Sequence, residues 1–230
     1  MINVRHSQER GGSSMGWLQS QHSFSFADYY DPNFMGFSSL RVINDDWIAP
    51  ATGFPLHPHR DMEIISYIIA GEIEHQDSMG NSNILRAGMV QTMSAGSGIV
   101  HSEMNPSATQ PLQLLQIWIQ PNQKGLTPSY QQQDFSHTEG LSLLVSPDGH
   151  DDSLPIHQDA YLYKLKTRSE QSYSFKQQRQ GYLQLVAGEI MVNGIPLQAG
   201  DGAAITDESH IQIEILNDSC VEALLFDLKR

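Results

Sequence analysis

Cysteine is almost absent. Cys220 is the only one in 230 residues, which excludes an intramolecular disulfide framework and a thiolate zinc cluster. It borders the apolar run 221–228, where a buried, inert thiol is the expectation. Basic residues are scarce too: 13 Lys and Arg stand against 26 Asp and Glu, for a formal net charge of -13. So acidic a surface repels phosphate backbones and anionic lipid at long range, so neither nucleic acid nor membrane is expected as a direct partner. A small-molecule ligand or a protein partner fits the charge better. No run of about 18 apolar residues exists, which removes a helical membrane span. The first ten residues hold Arg5, Glu9 and Arg10 and no apolar stretch, so no secretory signal is read and a cytoplasmic location is the expectation. A capped, sustained helical stripe is missing as well, so helices should be few and short.

What the chain does contain is a succession of short apolar runs, among them 64–70, 112–120, 141–145, 181–187 and 222–228, broken by Gly, Asn, Asp or Pro. Such runs of Ile, Val, Leu and aromatics read as strands of a sandwich or barrel. Hydrophobic residues at 39% suffice to pack one. The run 64–70 is apolar on both faces, which suits a strand buried between two layers. The second half also repeats the first. Ala70-Gly71-Glu72-Ile73 returns as Ala187-Gly188-Glu189-Ile190, and Leu85-Arg86-Ala87-Gly88 as Leu197-Gln198-Ala199-Gly200. The expected fold is therefore all-β: two tandem antiparallel β-barrels of jelly-roll type, 1–125 and 126–230, with the seam in the loop-rich and polar stretch 121–140.

Two histidines stand at i and i+2 in His57-Pro58-His59. On a strand those side chains share a face about 7 Å apart and can reach one ion. His101-Ser102-Glu103 repeats the spacing with an imidazole and a carboxylate. If the two strands pair, three nitrogens and one oxygen converge on one point. That donor set suits Fe(II), Mn, Co, Ni, Cu or Zn and disfavours Mg and Ca. Spacing alone leaves the carboxylate open, because Asp61 and Glu63 share the face of His57 and His59 on a straight strand. The bland alternative is that each histidine is a hydrogen-bonded structural residue, but paired HxH and HxE motifs in a strand-rich chain weigh against it. Histidines 6, 22, 75, 137, 150, 157 and 210 lie among polar segments and read mostly as surface. Carried over from Gly71 to Gly188 and from Gly88 to Gly200, the offsets of His57, His59 and His101 land on Ser174, Lys176 and Ile213. The C-terminal barrel should therefore be metal-free, with one site per chain.

The stretches Thr52–Ile64 and Gly88–Asn105, together with Phe24–Pro32 and Leu40–Asp46 upstream, resemble the pirin family of the cupin superfamily. The resemblance spans the whole chain and is close to bacterial pirin-like proteins credited with quercetin 2,3-dioxygenase activity. It implies a bicupin with one mononuclear metal, most often iron as Fe(II), on residues matching His57, His59, His101 and Glu103, and so selects Glu103 over Glu63. Ser94 stands where the general cupin motif has Pro, a change expected to affect a turn rather than a ligand. The implied reaction opens the central ring of a flavonol such as quercetin with O2 and releases CO. Glu103 is then expected to act as general base, with Phe37 or Phe54 as candidates to stack on the substrate. Eukaryotic pirins imply a different reading, an iron-binding, redox-responsive regulator that acts through a protein partner without turnover.

Overall fold

The computed structural model describes residues 1–217 and 219–230. It is almost entirely β; among the described residues the single helical element is a 3-10 turn at Ser7–Glu9. No helix there is long and apolar enough to cross a membrane. Four sheets form two barrels, each made of a seven-stranded and a four-stranded sheet. In the first, the large sheet runs Ser129–Asp134, Met89–Ser94, Glu63–Ala70, Leu112–Ile119, Leu40–Ile48, Leu18–His22, Gly11–Ser14. Its small sheet runs Gly53–His59, Ile99–Met104, Glu72–Asp77, Ser82–Arg86. The second barrel repeats this plan. There the large sheet runs Ile2–Arg5, Gly202–Ile205, Arg179–Ala187, Val221–Lys229, Ala160–Thr167, Gly140–Ser146, Leu154–Pro155. Each large sheet is thus edged by a strand from the other side of the chain: Ile2–Arg5 joins the second, and Ser129–Asp134 joins the first.

The repeated tetrapeptides mark the same turns in both barrels. Gly71 and Gly188 adopt φ of 79° and 87°, and Gly88 and Gly200 adopt 84° and 88°, in the left-handed region that only glycine enters freely. A Cβ on Gly71 would meet the Pro111 carbonyl oxygen at 2.6 Å, so the turn needs glycine for space as well.

The strand Glu63–Ala70 is buried on both faces, as its composition predicts. Ile65 and Tyr67 point out of their own barrel into the largest apolar cluster, with Leu115 and Ile117 from one half and Tyr182, Leu224 and Phe226 from the other. The two large sheets therefore pack back to back. Tyr67 donates to Glu222 Oε1 at 2.5 Å, a polar tie across that contact. Ile64 and Ile68 face inward instead. Cys220 is exposed, against expectation: it precedes Val221, the first core residue of its strand, and stays outside the packed layer.

Candidate metal centre

The strand Gly53–His59 lies at the edge of its sheet, where the missing N–H groups of Pro55 and Pro58 break no central ladder. It pairs with Ile99–Met104, His57 directly across from His101. The register then slips, so that Glu103 faces Phe54. This bulge re-aims side chains beside the candidate ligands. Three imidazoles meet here, with ring centroids 4.4 Å (His57–His101), 4.7 Å (His57–His59) and 4.9 Å (His59–His101) apart. Their nearest nitrogens all lie within 4.8 Å of one another. His57 Nδ1 sits 2.8 Å from the Pro55 carbonyl oxygen, which assigns the proton to Nδ1 and leaves Nε2 a free lone pair. His101 is wholly buried and its Nε2 has no hydrogen-bond partner. Burial first, then the neighbouring His101 and His57, pull the His59 pKa down to about 4. Burial, then His57 and His75, pull His101 down to about 3. His59 and His101 are therefore neutral at pH 7, the form in which imidazole binds a metal.

Glu103 is 1% exposed and belongs to a second, overlapping group with His75 and His101, whose ligand atoms again lie within 4.8 Å. Of the four predicted ligands, His57, His59 and His101 thus form one group, while Glu103 joins only His101, in a group completed by His75. Glu103 Oε1 accepts from Gln91 Nε2 at 2.7 Å, and Oε2 from Gln116 Nε2 at 2.7 Å, with Ser66 Oγ 3.2 Å from Oε1. A carboxylate offers about four lone-pair sites, so these donors fix its orientation without saturating it.

Those donors belong to a row that sequence reading missed. His22, Asn44, Gln116, Ser66, Gln91 and Gln132 are successive cross-strand partners over six strands of the large sheet. The first five of them are buried, on the barrel's interior face. In the second barrel the corresponding row is Tyr163, Leu225, Leu183, Ala203 and Val4. The small sheets differ in the same way. His57 faces His101 where Tyr173 faces Ile211, and His75 faces Glu103 where Val192 faces Ile213. Strand pairing thus matches Ile213 to Glu103 and replaces Ser174 by Tyr173, a shift of one or two residues from plain counting. One interior carries polar side chains and the other aliphatic and aromatic ones.

His75, expected at the surface, is fully buried. Its Nε2 lies 3.1 Å from Asp77 Oδ2 and its Nδ1 lies 3.5 Å from His101 Nδ1, while Tyr130 stacks on its ring at 4.3 Å. Burial raises the Asp77 pKa, but hydrogen bonds from Asn81 and His75 outweigh it and hold the carboxylate below its usual range. An ionised Asp77 accepts a hydrogen bond from His75 Nε2–H, which leaves His75 Nδ1 to accept from His101 Nδ1–H. That order leaves the His101 Nε2 lone pair pointing at its two histidine neighbours. The alternation Ile73, His75, Asp77 was the available signal, hidden by the polar Glu74 and Gln76 between them. His22 is buried as well, whereas histidines 6, 137, 150, 157 and 210 are exposed as expected.

Glu63 is buried but belongs to neither triad; it accepts from Ser94 Oγ at 2.7 Å and from the His157 backbone N–H at 3.2 Å. Ser94 ends a strand rather than sitting in a turn, and its hydroxyl holds that carboxylate. Asp61 leaves the face of the histidines, because the strand stops at His59 and Asp61 turns with φ 51°. Beside the imidazoles opens a cavity of about 570 Å³, walled by Trp17, Phe26, Phe54 and Trp118 and reached by His57, His59 and Glu103. Phe54 thus lines it. Phe37 does not, packing against Tyr182 between the barrels.

Comparison with known proteins gives a consistent picture. The family model described as Pirin matches residues 3–119, and that described as Quercetinase C-terminal cupin domain matches 143–228. The chain is 52% identical to a quercetin 2,3-dioxygenase of Escherichia coli K12 over 99% of both chains. It is 46% identical to a pirin-like protein of Caulobacter vibrioides, again over 99% of each. The crystal structure of the bacterial pirin YhhW from Escherichia coli in complex with nickel(II) superposes with a TM-score of 0.96 at 50% identity, covering 100% of this chain and 99% of that one.

Proposed function

The chain belongs to the pirin family, and from that premise we propose that it is a metal-dependent dioxygenase that opens the central ring of flavonols, consuming one O2 and releasing one CO for each. The observation that carries the reading is the buried, partnerless Nε2 of His101 set against two further imidazoles at the mouth of an aromatic cavity. A buried nitrogen acceptor without a partner costs about 1–3 kcal/mol, which a bound cation would remove. The residues therefore fit the metal that the family implies. His57, His59, His101 and Glu103 would hold it, and the proposed ion is Fe(II), although such ligands accept most first-row metals. When bound, the ion supplies Lewis-acid polarisation of an oxygen donor and lowers the pKa of the substrate's 3-hydroxyl.

The chain's own residues then have separable tasks. Glu103, steered by Gln91 and Gln116, takes the proton from the 3-hydroxyl oxygen. Trp17, Phe54 and Trp118 enclose the flat rings and keep water away from the reacting carbon atoms. Only the first barrel carries this chemistry; the second backs the sheet that holds the polar row.

The test is aerobic incubation of iron- or nickel-loaded protein with quercetin, following the loss of its visible absorption together with CO release. Ring cleavage should be abolished by His57→Ala and by Glu103→Ala; undiminished turnover in either removes the mechanism. The regulatory reading draws on the net charge of -13, which favours a basic protein partner. Iron-dependent capture of such a partner by a protein that turns over no flavonol would favour it instead.

A further inference from the structure

The cavity has a second polar end that the proposed chemistry does not use. Ser20 and His22 on one strand and Asn44 and Asp46 on the next line the wall away from the imidazoles. All four are buried, between 2% and 3% exposed. Ser20 donates to Asp46 Oδ1, and His22 Nδ1 lies 2.8 Å from Asn44 Oδ1. Each of these contacts uses one polar atom of its residue. Asp46 Oδ2, Asn44 Nδ2 and His22 Nε2 meet no protein donor or acceptor among the described residues. They are not among the sealed, partnerless atoms of the core; they face the cavity, where a ligand can meet them.

The position of the cluster is fixed by the sheet. Asn44 is the cross-strand neighbour of Gln116, the residue that holds Glu103, and His22 is one strand further on. At about 4.8 Å per strand the cluster lies about 5–10 Å from Gln116 along the row. No hydrogen bond joins Asn44 to Gln116 among the described residues, so the polar row is interrupted where the cavity opens. The walls between the two ends are aromatic.

We propose that Ser20, His22, Asn44 and Asp46 form a hydroxyl-reading subsite, so that the preferred substrate is a flat aromatic carrying ring hydroxyls at the end remote from its chelating oxygens. The proposal rests on the flavonol reading and narrows it. Asp46 and His22 accept from phenolic O–H groups, and the Asn44 amide donates to a phenolic oxygen. Burial pushes the Asp46 pKa up to about 7, against the Ser20 hydrogen bond, so the carboxyl can offer or accept a proton near neutral pH.

The test measures affinity rather than turnover. Nickel-loaded protein is titrated without O2 against 3-hydroxyflavone, which has the chelating oxygens alone, and against quercetin, which adds ring hydroxyls. Two or more hydrogen bonds to buried, partly charged groups should favour quercetin by about tenfold or more. Asp46→Asn, and separately Asn44→Leu, should each bring that ratio below about threefold by removing one of them. A ratio near one in the unmodified protein, or a ratio unchanged in both variants, overturns the subsite. Should neither ligand bind the unmodified protein, the flavonol reading falls and takes the subsite with it; binding of 3-hydroxyflavone without preference defeats the subsite alone. The comparison in the unmodified protein needs no variant to fold.

Discussion

Replacing His75 by Phe removes two nitrogens while keeping a ring to stack on Tyr130, and it should weaken metal binding without touching a ligand. In the native protein Asp77 and His75 together assign the His101 proton to Nδ1, through contacts of 3.1 and 3.5 Å. Without His75, that N–H is buried and unpaired, and the tautomer protonated at Nε2 becomes competitive. Outer partners of metal-bound histidines are worth 10–100-fold in affinity, or about 1.4–2.7 kcal/mol. An orphaned N–H at about 1–3 kcal/mol gives the same range independently. Competition titration of Ni(II) or Co(II) against a fluorescent chelator measures the loss, and the Co(II) absorption bands should shift as the His101 ring rotates. His75→Gln can accept from His101 and donate to Asp77, so it should recover most of the affinity. A Phe variant that folds, binds metal as the native protein does and shows unaltered Co(II) bands would refute the role of His75.

Further outcomes follow from the same geometry. Glu63→Gln should leave metal affinity nearly intact, because Glu63 is engaged by Ser94 and His157, whereas Glu103→Gln should lower it by about 100-fold or more, the loss of a charged ligand being worth at least a few kcal/mol; equal losses in the same titration would contradict the assignment. Gly53→Ala places a Cβ 2.3 Å from the Glu103 carbonyl oxygen and 2.6 Å from Met104 Cα, so the ligand strands must part. A loss of about 1–3 kcal/mol in denaturant unfolding is expected, and a neutral result would show the contact to be relaxed. The metal-free protein should lose stability as pH falls below 6.5, because the unfolded chain protonates His59 and His101 while the folded chain, with values near 4 and 3, does not. The slope approaches about 1.4 kcal/mol per pH unit for a buried group and is less for half-buried His59. Asp46, raised to about 7, works the other way over the same window by losing stability as pH rises, so Asp46→Asn should steepen the acid loss in thermal melts.

The sequence made the three imidazoles legible because strand periodicity is local: residues at i and i+2 share a face wherever the strand goes. The all-β class and the repeated barrels were legible for the same reason, through short apolar runs and glycine turns. The polar row was not. Asn44, Ser66, Gln91 and Gln116 come together only through cross-strand register, which no local pattern encodes. The register slip between His101 and Glu103 and the left-handed turn at Asp61 likewise escape a straight-strand reading, and the turn is what separates Asp61 from the histidines. His75 went unread because flanking Glu74 and Gln76 made its segment look solvated. Cys220 was misjudged by a single position, one residue before the core begins.

Ser129–Asp134 completes the first large sheet, and Ile2–Arg5 completes the second. Severing the linkage between the halves would strip each of an outer strand and bare a row of unsatisfied amides, inviting intermolecular association in place of two independent fragments. Tyr130, carried on one of the traded strands, stacks on His75 and donates to Gln91 at 3.1 Å. Melting of the crossover segment would therefore loosen Glu103 and His101 before either moved on its own account. For this molecule heat denaturation and loss of the bound ion should trace one curve, and a chelator should be felt in the half that has no ligands at all.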